Sequence, residues 1–140
     1  MSVLIYNCTA VLMDEQNTVL PGACVAVEGA KIVSVGDERP RGPFDQEIDG
    51  RGSVLMPGLV NAHTHVPMTL LRGYGDGHDL QDWLNNYIFP KEALLDERAV
   101  RAGTALGLAE MIASGTTTIA DKYYFCEGIA QECVAAGVIL

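Results

Sequence analysis

Hydrophobic and polar positions change their rhythm near Pro57. Before it, short β-branched and apolar runs are separated by turn signals. Residues 2–8 and 9–13 read as two β-rich segments closed by the polar turn Asp14-Glu15-Gln16-Asn17. Ala-Cys-Val-Ala-Val-Glu at 23–28 and Lys-Ile-Val-Ser-Val at 31–35 predict a hairpin across Glu28-Gly29-Ala30, and the alternation in its second strand predicts one buried face. Residues 37–44 mix charges, prolines and glycine and read as a loop. Two more short strands, 46–49 and 53–56, flank Gly50-Arg51-Gly52. The expectation for 1–56 is a small β-rich segment, half of a β-sandwich.

From Pro57 onward, strand and helix periods alternate. Residues 56–60 predict a buried strand entered through a Pro-Gly turn. Leu80, Trp83, Leu84 and Tyr87 fall on one side of a helix over 80–87, with Asp79 as its N-cap. A second helix is predicted over 97–114, capped by Asp96 and stopped at Gly115. Thr-Thr-Thr-Ile-Ala at 116–120 is a β-branched strand closing at Asp121, a third helix covers 127–136, and 138–140 open another apolar strand. Strand–helix–strand order implies parallel βαβ units. The fold class expected for 57–140 is therefore α/β, the first two to three βα units of a (β/α)8 TIM-like barrel. A full barrel takes about 250 residues, so the barrel is incomplete in this chain. An apolar strand with an open edge at 138–140 would be adhesive, and the chain reads as the front part of a larger protein.

The chemistry concentrates in His63-Thr64-His65. Residues i and i+2 of a strand point to the same face, so both imidazoles can reach one ion. Imidazole nitrogen binds zinc or iron, which makes the pair a metal half-site. A bare H-x-H is common by chance, and its setting carries the reading: an apolar strand before it and a glycine-rich, acidic segment, 72–79, after it. Asp121 closes a strand at the same end of the units, where a barrel keeps its chemistry, yet it could equally cap a turn.

Composition narrows the classes. A hydrophobic share of 49% supports a packed core, and a formal charge of −9 argues against binding nucleic acid or an anionic membrane through a basic patch. Cys8, Cys24, Cys126 and Cys133 form no C-x-x-C pair and no secretory signal precedes them, so reduced thiols and a cytoplasmic location are expected. Cys126 and Cys133, seven apart, would share one helix face, buried in packing. No apolar run reaches the ~18 residues of a spanning helix.

Pro57-Gly58-Leu59-Val60-Asn61-Ala62-His63-Thr64-His65 after a β-rich segment resembles the amidohydrolase superfamily of metal-dependent hydrolases. Val66 to Gly73, Trp83-Leu84, Phe89-Pro90-Lys91-Glu92, Ser114 to Thr118 and Asp121 to Phe125 narrow the resemblance to the 5-methylthioadenosine/S-adenosylhomocysteine deaminases. Chlorotriazine hydrolases and guanine deaminases are neighbours of that group. The likeness covers the whole chain but only the front part of a typical member.

The resemblance implies that His63 and His65 ligate one divalent metal, zinc first with iron, nickel or manganese as alternatives, together with a histidine and an aspartate from later strands. The metal would acidify a water for attack on the purine carbon that bears the amino group. It implies that Glu92 accepts hydrogen bonds from the ribose hydroxyls. Trp83 could line the substrate pocket or simply pack. His78 could enter the pocket or stay solvated, and Lys122 stands where relatives often carry methionine. No catalytic proton-transfer residue is identifiable, so the chain alone is expected to be inactive. The partner implied is a purine nucleoside, with no nucleic acid or membrane, and either the rest of the barrel or further copies of the chain. Guanine deamination or triazine hydrolysis keeps the same metal site with a different leaving group. A structural module without catalysis is the non-enzymatic alternative.

Overall fold

Ser2–Val11 form β1, the central strand of the first of two units, Met1–Pro57 and Gly58–Leu140, described by a computed structural model of residues 1–140. β2 (Val19–Glu28) lies antiparallel on one side of β1, and β3 (Lys31–Gly36) continues from it as the expected hairpin, with Glu28 opposite Lys31. β4 (Gln46–Asp49) and β5 (Val54–Leu55) pair with β1 in parallel on its other side. Segments 2–8 and 9–13, expected as two strands, are one strand. Asn7, at φ 59°, makes an irregularity between Ile5 and Cys8 that bends the strand without ending it. Buried side chains come mainly from β1 and β2: Leu4 packs with Cys24 and Ala26, and Cys8 with Ala10 and Ala23. β3 departs from expectation. It is the edge strand, and Ile32, Val33 and Val35 are exposed. The unit is a single five-stranded sheet. It supplies one layer, and the second layer of a sandwich does not come from these residues.

In the second unit, β6 (Leu59–Thr64) and β7 (Thr116–Asp121) pair in parallel, with Val60 opposite Thr118 and Thr64 opposite Asp121. The strand expected at 56–60 begins later, because Pro57 has no N–H for a ladder. The first strand bond is Leu59 N–H to the Gly115 carbonyl at 2.9 Å. Nor is it buried: Leu59 is 48% and Val60 65% exposed, since β7 pairs only one edge of β6. A 3-10 segment, Val66–Leu71, follows directly, with Val66 and Pro67 buried.

α1 (Leu80–Asp82) is capped as expected by Asp79, whose carboxylate accepts from the amides of Gln81 and Asp82. The helix does not stop at 87. It widens into a π segment, Trp83–Ile88, and passes into α2 (Phe89–Glu92). Pro90 is accommodated because it falls in the first turn of α2. Glu92 is therefore the last residue of a helix.

α3 (Glu97–Ala113) starts at Asp96, which accepts from Ala99 N–H at 2.8 Å, and stops at Gly115, whose φ of +88° suits only glycine without strain. α4 (Cys126–Ala136) packs on it through Val100, Leu108, Ile129 and Cys133, with an Arg101–Glu132 ion pair at 2.7 Å above the apolar contact. Cys133 is buried, but Cys126 is exposed and its thiol meets the Tyr123 carbonyl. It sits in the first turn, outside the packed stripe. Residues 138–140 make one bridge, Ile139 to Thr118, and not a strand.

Close approach of α3 to the 3-10 segment depends on two glycines. A Cβ at Gly103 would stand 2.6 Å from the Pro67 carbonyl oxygen, and one at Gly107 2.5 Å from Val66 Cγ1. Thr69 Oγ1 donates to the Gly103 carbonyl at 2.7 Å across the same contact. No helix is long and apolar enough to cross a membrane.

Candidate active site

β6 and β7 end side by side, and their ends carry the polar groups of the second unit. His63 is in the last turn of pleat of β6, and His65 follows the strand as the residue before the 3-10 segment. Their Nε2 atoms are 3.4 Å apart, with ring planes at 87°. Two ligands held at 2.0–2.1 Å by a tetrahedral ion are separated by about 3.3–3.4 Å. The spacing is long for a hydrogen bond and right for a shared ion.

Protonation of His65 follows from its other nitrogen. Nδ1 lies 2.6 Å from the Lys122 carbonyl oxygen, which can only accept, so Nδ1 carries the proton and Nε2 keeps its lone pair. A carbonyl behind a histidine is the usual device for fixing a metal-binding tautomer. The donor set thus fits a divalent ion of the zinc type. No group of three or more His, Cys, Asp or Glu is assembled there, so the donors on hand are the two imidazoles.

Asp121 has a different job from capping the turn that follows it. Its carboxylate reaches back across the sheet and accepts from Val66 N–H at 2.8 Å. Lys122 N–H meanwhile donates to the Thr64 carbonyl at 3.2 Å. The histidine loop is therefore tied to the end of β7 on both sides of His65. Burial raises the Asp121 pKa, opposed by the hydrogen bond from the Val66 amide.

Beside the histidines lies a cavity of about 460 Å³, within the range of small-molecule sites. His65, Glu92, Lys122 and Tyr123 contribute to its lining, and Met68, Leu80 and Phe89 to its apolar wall. The π segment brings Trp83 and Glu92 onto this wall together. The Trp83 indole N–H is committed to the Tyr74 carbonyl at 3.0 Å, so what Trp83 offers the cavity is ring surface. His78 stays off it: Nδ1 pairs with Asp82 at 2.5 Å and the ring stacks on Tyr87 at 4.2 Å. It is neither a pocket residue nor merely solvated.

Tyr123 was not singled out from the sequence as a site residue. Its ring lies 6.4 Å from that of His65, and its hydroxyl is buried without a hydrogen-bond partner. Burial, and next the nearby Glu92 carboxylate, push the phenol pKa well above its ordinary value. An unmatched buried hydroxyl costs about 1–3 kcal/mol. Only its position in a Tyr-Tyr-Phe run after a strand could have drawn attention to it.

The second unit is thus a parallel α/β pair of strands with two histidines at one strand end and a cavity beside them. The family model described as the amidohydrolase family matches residues 54–139, and the chain belongs to that family. A 5'-deoxyadenosine deaminase of Methanocaldococcus jannaschii is 49% identical over 115 residues, 81% of this chain and 27% of the relative. A 5-methylthioadenosine/S-adenosylhomocysteine deaminase of Syntrophomonas wolfei is 40% identical over 99% of this chain and 32% of its own length. Among solved structures, an adenosine deaminase from Xanthomonas campestris with bound zinc superposes with a TM-score of 0.89 at 38% identity, covering 95% of this chain and 31% of that one. The chain spans less than a third of the length of these curated relatives.

Proposed function

We propose that this chain is the N-terminal part of a metal-dependent aminohydrolase that releases ammonia from adenosine-like nucleosides, 5'-deoxyadenosine and 5-methylthioadenosine among them. The observation that carries the reading is the His63–His65 pair, its nitrogens 3.4 Å apart and one tautomer fixed by a backbone carbonyl. His63 and His65 would hold the metal through Nε2, zinc being the ion bound in the similar adenosine deaminase. A divalent ion there supplies Lewis-acid activation of the attacking water.

The chain's own residues would do the positioning. Lys122 holds the His65 proton on Nδ1 through its carbonyl. Glu92, on the cavity wall, accepts the ribose hydroxyls, since a carboxylate is a strong acceptor for two O–H donors. Met68, Leu80 and Phe89 keep water from part of the cavity and suit an apolar or thioether 5' substituent better than a charged one.

The test uses the complete protein, including the reading frame beyond Leu140. Ammonia release from 5'-deoxyadenosine and 5-methylthioadenosine is expected, with little from guanine and no chloride from a chlorotriazine. Absence of ammonia from every adenosine-like nucleoside would remove the assignment. Glu92→Gln should raise KM for 5'-deoxyadenosine about ten-fold or more. An unchanged KM would take Glu92 out of the substrate site.

A further inference from the structure

We propose that Tyr123 is a positioning residue for Glu92, its buried and unpartnered O–H serving as the donor that holds the Glu92 carboxylate while a ribose is bound. The inference rests on the proposed role of Glu92 and adds a residue to it. The Tyr123 hydroxyl is the one side-chain polar atom of the chain that is buried without a partner. The hydroxyl is closed to solvent, and the carboxylate near enough to act on it most strongly is Glu92. Glu92 is the only carboxylate among the side chains lining that cavity with Tyr123.

The backbone supports the same link. Tyr123 directly follows Lys122, whose carbonyl fixes His65, so one strand end would orient both a metal ligand and the sugar acceptor. A carboxylate that takes two ribose hydroxyls sheds water from the same oxygens, and a third donor behind it restores a hydrogen bond and sets its angle.

Kinetics and calorimetric binding on the complete enzyme test this with Tyr123→Phe, Glu92→Gln and the double variant. The ligands are 5'-deoxyadenosine and 2',3'-dideoxyadenosine, which lacks the hydroxyl pair. Tyr123→Phe should raise KM and Kd for 5'-deoxyadenosine about five- to ten-fold with kcat within about two-fold. Its affinity for the dideoxy ligand should not change, nor should it weaken binding further once Glu92 is Gln. The thermal midpoint should hold or rise, because no hydrogen bond is lost in the free protein. Unchanged affinity for 5'-deoxyadenosine, or equal losses on both ligands with a lower midpoint, would overturn the proposal. Wild-type enzyme that binds 5'-deoxyadenosine but releases no ammonia would sink the deaminase reading alone, and the binding data would still decide on Tyr123. No binding of 5'-deoxyadenosine would overturn both.

Discussion

At the scale of single residues, the arrangement around His65 separates what local spacing conveys from what it does not. The i, i+2 geometry of His63 and His65 is readable because strand pleat alone brings the two rings together. The groups that orient them are not. Asp121 contacts Val66 from 55 residues away, and the Lys122 carbonyl reaches His65 from 57. A backbone carbonyl carries no residue identity, so no motif could announce it. Asp121 is also the residue whose removal separates positioning from ligation. Asp121→Ala should weaken metal affinity of the complete protein about 10–100-fold, with His63 and His65 both retained. Asp121→Asn keeps an acceptor for the Val66 amide and should lose less. Metal titration against a competing chelator gives both numbers, and equal affinities for wild type and Asp121→Ala would detach the aspartate from the site.

At the scale of elements, helix starts and stops were legible where a side chain or a glycine performs the capping. Asp79, Asp96 and Gly115 each act within four residues of their own position. The continuation of the first helix over 88–92 was not legible, because a proline normally marks a break and the widened π turn that admits it has no compositional sign. Packing between elements was hidden for the same kind of reason. Gly103 and Gly107 look like weak points in α3, yet they let the 3-10 segment beneath His65 lie against the helix. Alanine at a helical glycine normally gains about 1 kcal/mol. At Gly103 the obstructing atom is a backbone oxygen that cannot move alone, and overpacking costs about 1–3 kcal/mol. Gly103→Ala should therefore destabilise by about 1–2 kcal/mol in urea unfolding. Gly128→Ala meets only side-chain atoms, of Arg101 at 3.0 Å and Glu97 at 3.5 Å, and should be neutral or stabilising by up to about 1 kcal/mol. The same sign at both positions would contradict the packing described.

At the scale of the whole molecule, the two units differ in what holds them. In Met1–Pro57, aspartates tie down a chain end and a turn: Asp45 accepts from the Ser2 amide and Asp14 from Thr18. Those bonds hold both carboxyls below 3.8. A carboxyl with a folded pKa below its unfolded value stabilises the fold above the unfolded value and loses that contribution as pH falls through the folded one. Stability of this unit should therefore decline below about pH 4, with a shallower decline in Asp14→Asn and Asp45→Asn, followed by circular dichroism. In Gly58–Leu140, apolar side chains including Val60, Leu106, Val134 and Ile139 are exposed. Expressed as these 140 residues alone, the chain should associate with rising concentration in sedimentation and hold zinc too weakly to survive gel filtration. A monomer with stoichiometric zinc would refute both expectations. The π segment also makes distance along the chain count differently from place to place. Loop 72–79 is pinned by the Trp83 indole on the Tyr74 carbonyl and by the His78–Asp82 pair. The wide turn Trp83–Ile88 takes up one residue more than an ordinary helix would, so losing that residue should leave Glu92 on the same wall, whereas a residue lost from α2 ahead of Glu92 should turn it off by about 100°. Length is thus elastic inside the wide turn and fixed on either side of it.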